Sequence, residues 1–221
     1  MISLIKPIRI LPLLFIVGCI APPSLYKEAF VTSKEAFLGS NIVISKAIRE
    51  LPYAMQLVQI GSSKEVLLVL AESRNDSLVW SSSSKELITT SNGKIIKTLG
   101  LKNDIEIIAY PNILEAYSSL LKNNMGYSHK SFVNFSSPKA NSLEVLYTYK
   151  ILKDETILKR LNDLPVATKV MIEYVNIPLI RFRAKNLYWI DSEMNVLKSE
   201  QKIVPNIKII KLDTLKKYNG S

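Results

Sequence analysis

Few residues in this chain are equipped for chemistry. Cys19 and His129 are the single cysteine and the single histidine among 221 residues. His129 precedes Lys130 on a strand-like stretch and reads as a surface residue. With no second His or Cys to complete a ligand set, no metal and no cofactor is expected. Carboxylates remain, and glycoside cleavage uses two of them. Asp154 and Glu155 fall in an expected turn, where neighbouring strand positions face opposite ways. Glu173 and Glu200 lie within apolar strands and are the better pair. Their competing role is ion pairing with a cross-strand cation such as Lys169, Arg181 or Lys198. Ser81 to Ser84 lack the strand–elbow–helix setting of a hydrolase nucleophile and read as a solvated loop. Trp80, Tyr188 and Trp189 could stack on sugar rings, although Trp80 within SLVWS is expected in the core. Tyr188 and Trp189 are adjacent on one strand, so one packs inward and the other faces outward. These two are the candidate carbohydrate contacts.

Cys19 stands apart because of what precedes it. Lys6 and Arg9 make the N-terminus cationic, and Ile10 to Val17 is an uninterrupted apolar run ending in Gly18-Cys19. A cationic start, a short apolar run and a small residue at the cut site mark a secretory signal. The run is far shorter than the roughly 20 residues that span a bilayer. Ile16-Val17-Gly18-Cys19 resembles the bacterial lipobox. That resemblance implies a diacylglycerol on the Cys19 thiol, cleavage before it and acylation (palmitate-type) of the new amine. One acyl chain binds a membrane only marginally, at about 0.8 kcal/mol per buried methylene, whereas several chains hold it firmly. Ile20, rather than Asp, follows the modified Cys, which by the enteric sorting rule implies the periplasmic face of the outer membrane. The expected organisation is a signal peptide over 1–18, a tether and short helix over 19–37, and one β-rich domain over 38–221.

The composition, 48% hydrophobic and 22% charged, is that of a globular chain. Without a Cys pair it has no disulfide to lean on, but a core of this size can carry the fold. The net charge of +10 includes Lys6 and Arg9 of the leader, so the mature part keeps +8. Such an excess could favour anionic partners: phospholipid head groups, lipopolysaccharide or acidic polysaccharide. The lysines are scattered with no run of five basic residues, however, which favours a solvated face, and export argues against a nucleic-acid partner.

The elements that must position these residues are short strands. Tyr53–Ile60, Glu65–Glu72, Ser77–Ser81, Glu86–Thr90, Lys94–Thr98 and Asp104–Tyr110 are β-favouring runs divided by turn residues. Asn92-Gly93 between two of them predicts a type I′ hairpin. Ile113–Lys122 places Ile113, Leu114, Tyr117, Leu120 and Leu121 at helical spacing. A shorter helix is expected at Ser45–Leu51, stopped by Pro52. Tyr127–Phe135, Leu143–Leu152, Thr156–Leu161, Thr168–Val175, Ile177–Arg183, Leu187–Asp191, Val196–Lys202 and Ile207–Leu212 return to β character, with LKKYNGS fraying at the end. The fold class is mainly β: antiparallel twisted sheets, sandwich or half-barrel-like, with one or two short helices.

NGKIIKTLGL (Asn92–Leu101) resembles the "NGR-x-x-x-T-x-GL" stretch of the YjbF/GfcB family of lipoproteins. LPYAMQLVQIG (Leu51–Gly61), VLLVLAE (Val66–Glu72) and LVW (Leu78–Trp80) follow that family's order upstream. Asn186–Leu212 is similar to its "N-x-YW-x-D … V-x-x-S-x-Q … K" ending. Lys94 stands where the family more often has Arg, and Asp191–Asn195 lacks the Gly usual in that turn, which leaves Asn195 to take the left-handed conformation. Residues 124–165 match loosely. The resemblance implies a non-enzymatic, lipid-anchored periplasmic accessory in exopolysaccharide or capsule export or assembly. Its partners would be the membrane, through the N-terminal lipid, and polysaccharide or polysaccharide-export proteins. Two other functions stay open: a lipid or hydrophobic-ligand carrier, which needs a large dry cavity, and a polysaccharide-modifying enzyme, which needs two converging carboxylates.

Overall fold

In a computed structural model the described residues are 51–123, 126–158 and 165–220. The leader, Cys19, the tether and most of the expected Ser45–Leu51 helix lie outside them. Twelve strands follow in chain order: β1 (Met55–Ile60), β2 (Val66–Arg74), β3 (Ser77–Ser81), β4 (Leu87–Ser91), β5 (Lys94–Leu99), β6 (Ile105–Ile108), β7 (Tyr127–Ser136), β8 (Lys139–Leu158), β9 (Val166–Ile177), β10 (Phe182–Ile190), β11 (Val196–Gln201) and β12 (Ile210–Lys216). One helix, α1 (Ile113–Asn123), joins β6 to β7.

Each strand pairs antiparallel with its sequence neighbour, and β1 pairs with both β2 and β12. The expected antiparallel sheet therefore closes into an up-and-down barrel, an arrangement that leaves no free edge. The turns at 75–76, 92–93 and 191–195, with the start of α1, share one end, called here the upper rim. The chain enters β1 at this end, where Lys216 Nζ donates to the Leu51 carbonyl at 2.5 Å.

The seam between β5 and β6 is the thinnest, with a single registered pair, Lys97 and Glu106. Side chains reinforce it. The Asp104 carboxylate accepts from Thr98 Oγ1 (3.0 Å) and from the Gly100 (2.9 Å) and Leu101 (3.0 Å) N–H groups. Thr98 Oγ1 in turn accepts from the Ile105 N–H at 3.1 Å. Thr98, Gly100 and Leu101 close this seam together with Asp104.

Alternation along the strands sorts the core. Met55 and Leu57 join Leu67 and Val69 in a small outer cluster, covered by Leu51, Tyr53 and Leu215. Val58, Leu68, Trp80, Ile88, Ile95 and Leu212 fill the interior with the buried side of α1, namely Ile113, Ala116, Tyr117 and Leu120. Leu121, expected on that side, is exposed, and Ala116 takes its place. Asn112 caps α1, its Oδ1 accepting from the Leu114 (3.0 Å) and Glu115 (3.3 Å) N–H groups.

Several expectations are corrected. Leu143–Leu152 and Thr156–Leu161 belong to one strand, β8, so Asp154 and Glu155 occupy a register irregularity within it rather than a turn. Ile177–Arg183 is not one strand: Pro178–Ile180 form a 3-10 turn and Arg181 takes φ +51° before β10 begins. Pro178 has no N–H to give a ladder, so the sheet breaks there. The C-terminus is paired through Lys216 in β12 rather than frayed from Leu215. In the 191–195 turn Met194, not Asn195, adopts the left-handed conformation at φ +67°. Asn195 is held instead by its N–H (2.8 Å) and Nδ2 (3.1 Å), both donating to Asp191 Oδ1.

Candidate functional site

Two regions inside the wall hold polar side chains. The first surrounds Glu173 at mid-barrel. Its side chain is fully buried and that of Lys94 is 2% exposed. Glu173 Oε1 accepts from Lys94 Nζ (2.5 Å) and Tyr149 Oη (2.9 Å). Its Oε2 accepts from Asn186 Nδ2 (2.7 Å) and Tyr188 Oη (3.0 Å). A carboxylate offers about four acceptor positions, and all are taken. Lys94 Nζ also lies 4.1 Å from the centroid of the Tyr147 ring, a cation–π contact.

The network continues to the hairpin. Gln201 Nε2 donates to the Gly93 carbonyl and to Ser199 Oγ, each at 2.8 Å, while its Oε1 accepts from the Ile95 N–H at 3.0 Å. Asn92 and Gly93 take φ +46° and +77°, as the predicted type I′ turn requires. A Cβ on Gly93 would stand 2.5 Å from Val196 Cγ1, so β11 leaves room there for glycine alone. The family's hairpin block and its C-terminal N-x-Y and S-x-Q spacings thus meet in one buried cluster.

The electrostatics follow from burial. It pushes the Lys94 ammonium below its ordinary value, against the opposing pull of Glu173. Burial and the Glu173 charge push the Tyr147, Tyr149 and Tyr188 hydroxyls up, so they stay protonated. Only about 10 Å³ of free space adjoins this cluster, beside Lys94, Tyr147 and Asn186. That is about the room one water needs. A lipid-sized dry chamber, which the carrier reading requires, is not present here.

The second region is an open cleft of about 360 Å³ at the upper rim. Gln56, Leu78, Trp80 and Thr90 form its floor, and Asn75, Asn92, Asn195 and Lys217 stand around its mouth. Trp80 is packed as expected, its Nε1 donating to Thr90 Oγ1 at 2.8 Å. Gln56 shares the inward phase of Val58 and is 5% exposed, yet its Oε1 has no hydrogen-bond partner. On the rim Asp191 accepts from Lys217 Nζ at 3.1 Å. Burial raises the Asp191 carboxyl, but the Asn195 donors and Lys217 outweigh it and hold the group below its ordinary value.

The residues singled out from the sequence are dispersed. Tyr188 is fully buried with its hydroxyl on Glu173, which corrects its candidacy as a sugar platform: the ring presents no face to solvent. Trp189 is half-buried on the outer face, with Lys198 Nζ 4.8 Å from its ring centroid. Glu173 is paired with a lysine, though with Lys94 rather than a cross-strand neighbour. Glu200 shares the outer phase of β11 and pairs with Lys198 at 3.5 Å, so the wall separates the two carboxylates. His129 is half-buried on β7, its Nε2 2.8 Å from the Ala109 carbonyl. Ser82 departs from a solvated loop, being buried and bonded to Glu86.

Lys94, Asn186 and Gln201 around Glu173, and Gln56 in the cleft, were not singled out as site residues from the sequence. Their signal was available in the phase: each is polar at a position where strand alternation points into the barrel.

Comparisons with known proteins agree with this picture. The family model described as group 4 capsule polysaccharide lipoprotein gfcB, YjbF, matches residues 31–215. The uncharacterized lipoprotein YjbF of Escherichia coli (strain K12) is 29% identical over 162 residues, covering 70% of this chain and 71% of that protein. The crystal structure of the hypothetical lipoprotein YmcC from Escherichia coli (K12) matches with a TM-score of 0.64 at 20% identity, over 85% of this chain and 96% of that one. The last likeness speaks for the fold. Since the family match spans both sequence blocks that meet at Glu173, the chain belongs to the group 4 capsule polysaccharide lipoprotein family, gfcB/YjbF.

Proposed function

We propose that this protein is a lipid-anchored, non-enzymatic accessory of exopolysaccharide or capsule export and assembly, held through Cys19 at the periplasmic face of the outer membrane. Family membership over residues 31–215 supports the polysaccharide context. The lipobox-like Ile16-Val17-Gly18-Cys19 supports the anchor. The non-enzymatic part is carried by one observation: the Glu173 carboxylate is saturated by four donors inside the barrel, and Glu200 lies on the other side of the wall. A general acid or nucleophile must reach substrate, and Glu173 does not. The carrier alternative finds no lipid-sized space beside Glu173, where about 10 Å³ is free.

The test is deletion of the gene, complemented by wild type or by Cys19→Ala, with surface polysaccharide measured chemically. The expected result is a drop on deletion, full recovery with wild type, and poor recovery with Cys19→Ala, which should also leave the membrane fraction. An unchanged polymer yield on deletion contradicts the export role. Cys19→Ala that still fractionates with membranes contradicts the lipid anchor.

A further inference from the structure

We infer that the upper-rim cleft is a binding site for a neutral, polyhydroxylated ligand, a short stretch of glycan chain entered from the barrel mouth. The inference rests on the polysaccharide reading above for which polymer to test; the chemistry of the ligand comes from the cleft itself.

The starting observation is an unmatched polar group. Gln56 is 5% exposed, points inside the wall, and its Oε1 has no partner. Buried polar atoms are almost always hydrogen-bonded, and each exception needs a cause. A few residues away the same interior bonds every oxygen of Glu173, Asn186 and Gln201. The fold can therefore satisfy buried amides, and at Gln56 it does not. The amide lines a cleft of about 360 Å³, within the range of roughly 300–1,000 Å³ usual for small-ligand sites. Oε1 itself is shielded, so a bound hydroxyl that draws the Gln56 amide round to the cleft and donates to it removes the mismatch.

The rim narrows the class of ligand. Asn75, Asn92 and Asn195 line the mouth. The Asn92 amide N–H is given to Asn112 and that of Asn195 to Asp191 and Glu193, which leaves their side-chain carbonyl oxygens to accept. Sugar hydroxyls donate to such oxygens. An anionic ligand needs an unspent cation, and Lys217, which lines the cleft, already lies 3.1 Å from Asp191 and 3.4 Å from Glu193. Asp76, also lining it, adds a negative charge. A purely apolar ligand would leave Gln56 Oε1 unmatched. The remaining fit is a neutral chain rich in hydroxyls, lying against the apolar floor of Leu78 and Trp80.

The experiment uses the full-length lipoprotein in detergent micelles. Calorimetric titration is run with oligosaccharides of two to six sugars, released by mild acid from the strain's own surface polysaccharide. Inorganic phosphate serves as the anionic arm. Wild type is expected to bind the oligosaccharides and not phosphate. Gln56→Leu should weaken binding at least tenfold while melting at the same temperature or higher. Asn75→Gly, which relieves a residue at φ +48°, should fold normally and weaken binding by a smaller factor. Trp189→Ala, on the outer face, should bind as wild type does.

Absence of oligosaccharide binding, or full affinity in Gln56→Leu and Asn75→Gly, overturns the site. Loss of affinity in Trp189→Ala alone moves the site to the outer wall and also overturns it. Phosphate binding that competes with the sugars overturns the neutral class. The export role is read separately from the deletion strain: polymer lost on deletion with no sugar binding leaves that role standing and removes only the site.

Discussion

The Glu173 cluster and the upper-rim cleft are made from similar side chains a few residues apart, and they differ in their hydrogen bonding. At Glu173 every carboxylate position is filled, and the neighbouring Gln201 bonds through both ends of its amide. At the cleft, Gln56 keeps a buried oxygen unmatched in a side chain that lines open space. Gly93 touches both regions, its carbonyl accepting from Gln201 while its residue lines the cleft. The difference teaches that polarity inside a barrel is not by itself a sign of function. A saturated cluster specifies the structure, whereas an unsatisfied group next to a cavity is available to a ligand.

The largest effect is expected from unpairing the cluster. Lys94→Met leaves a buried carboxylate without its cation and should cost about 3–5 kcal/mol of stability, read by denaturant unfolding. A loss below about 1 kcal/mol would mean that the ion pair does not organise the interior.

Alkaline unfolding sharpens the same point. The Tyr147, Tyr149 and Tyr188 hydroxyls are raised in the folded state, so their stabilising contribution is present below the ordinary value near pH 10 and lost above it. Three protons retained only by the folded form give a slope of about 4 kcal/mol per pH unit. Lys94 works the other way, since its amine is lowered on folding: stability rises with pH between its folded and ordinary values. That offset ends near pH 10.4, beyond which the tyrosines dominate. Stability measured from pH 8 to 11.5 should fall steeply only at the top of the range. A flat profile would contradict a protonated tyrosine cluster.

Gly93→Ala comes next. The positive φ and the 2.5 Å approach to Val196 together should cost about 2–4 kcal/mol, measured the same way. The smallest effect has the opposite sign. Gln56→Leu removes an unmatched buried oxygen and should raise stability by about 1 kcal/mol. If Gln56→Leu instead destabilises by as much as Lys94→Met, the cleft amide is structural and the contrast between the two regions fails.

Much of the architecture was legible from local patterns. Asn92-Gly93 predicted its hairpin because only φ-tolerant residues make a type I′ turn, and α1 showed its helical spacing. The alternation of Tyr188 and Trp189 placed them on opposite faces. Closure into a barrel was not legible, because the pairing of β1 with β12 joins residues such as Val58 and Leu212 across nearly the whole described chain. The continuity of β8 was hidden by the irregularity between Ile151 and Glu155, which interrupts its period. The Lys94–Glu173 pair spans strands β5 and β9 and crosses the barrel, a contact that periodicity along a single strand does not register. Glu173 could be singled out as a carboxylate in an apolar run, but its partner could not. Gln56 carried a signal, being polar at an inward position, but what sets it apart is the missing partner, which only the packed interior displays.

The central claim is that the cleft, not the saturated cluster, faces the function. It is tested most directly by surface-polysaccharide yield in the deletion strain complemented with Gln56→Leu at wild-type protein levels. The account predicts a well-folded, membrane-anchored protein that fails to restore the yield. Full restoration by Gln56→Leu would contradict it.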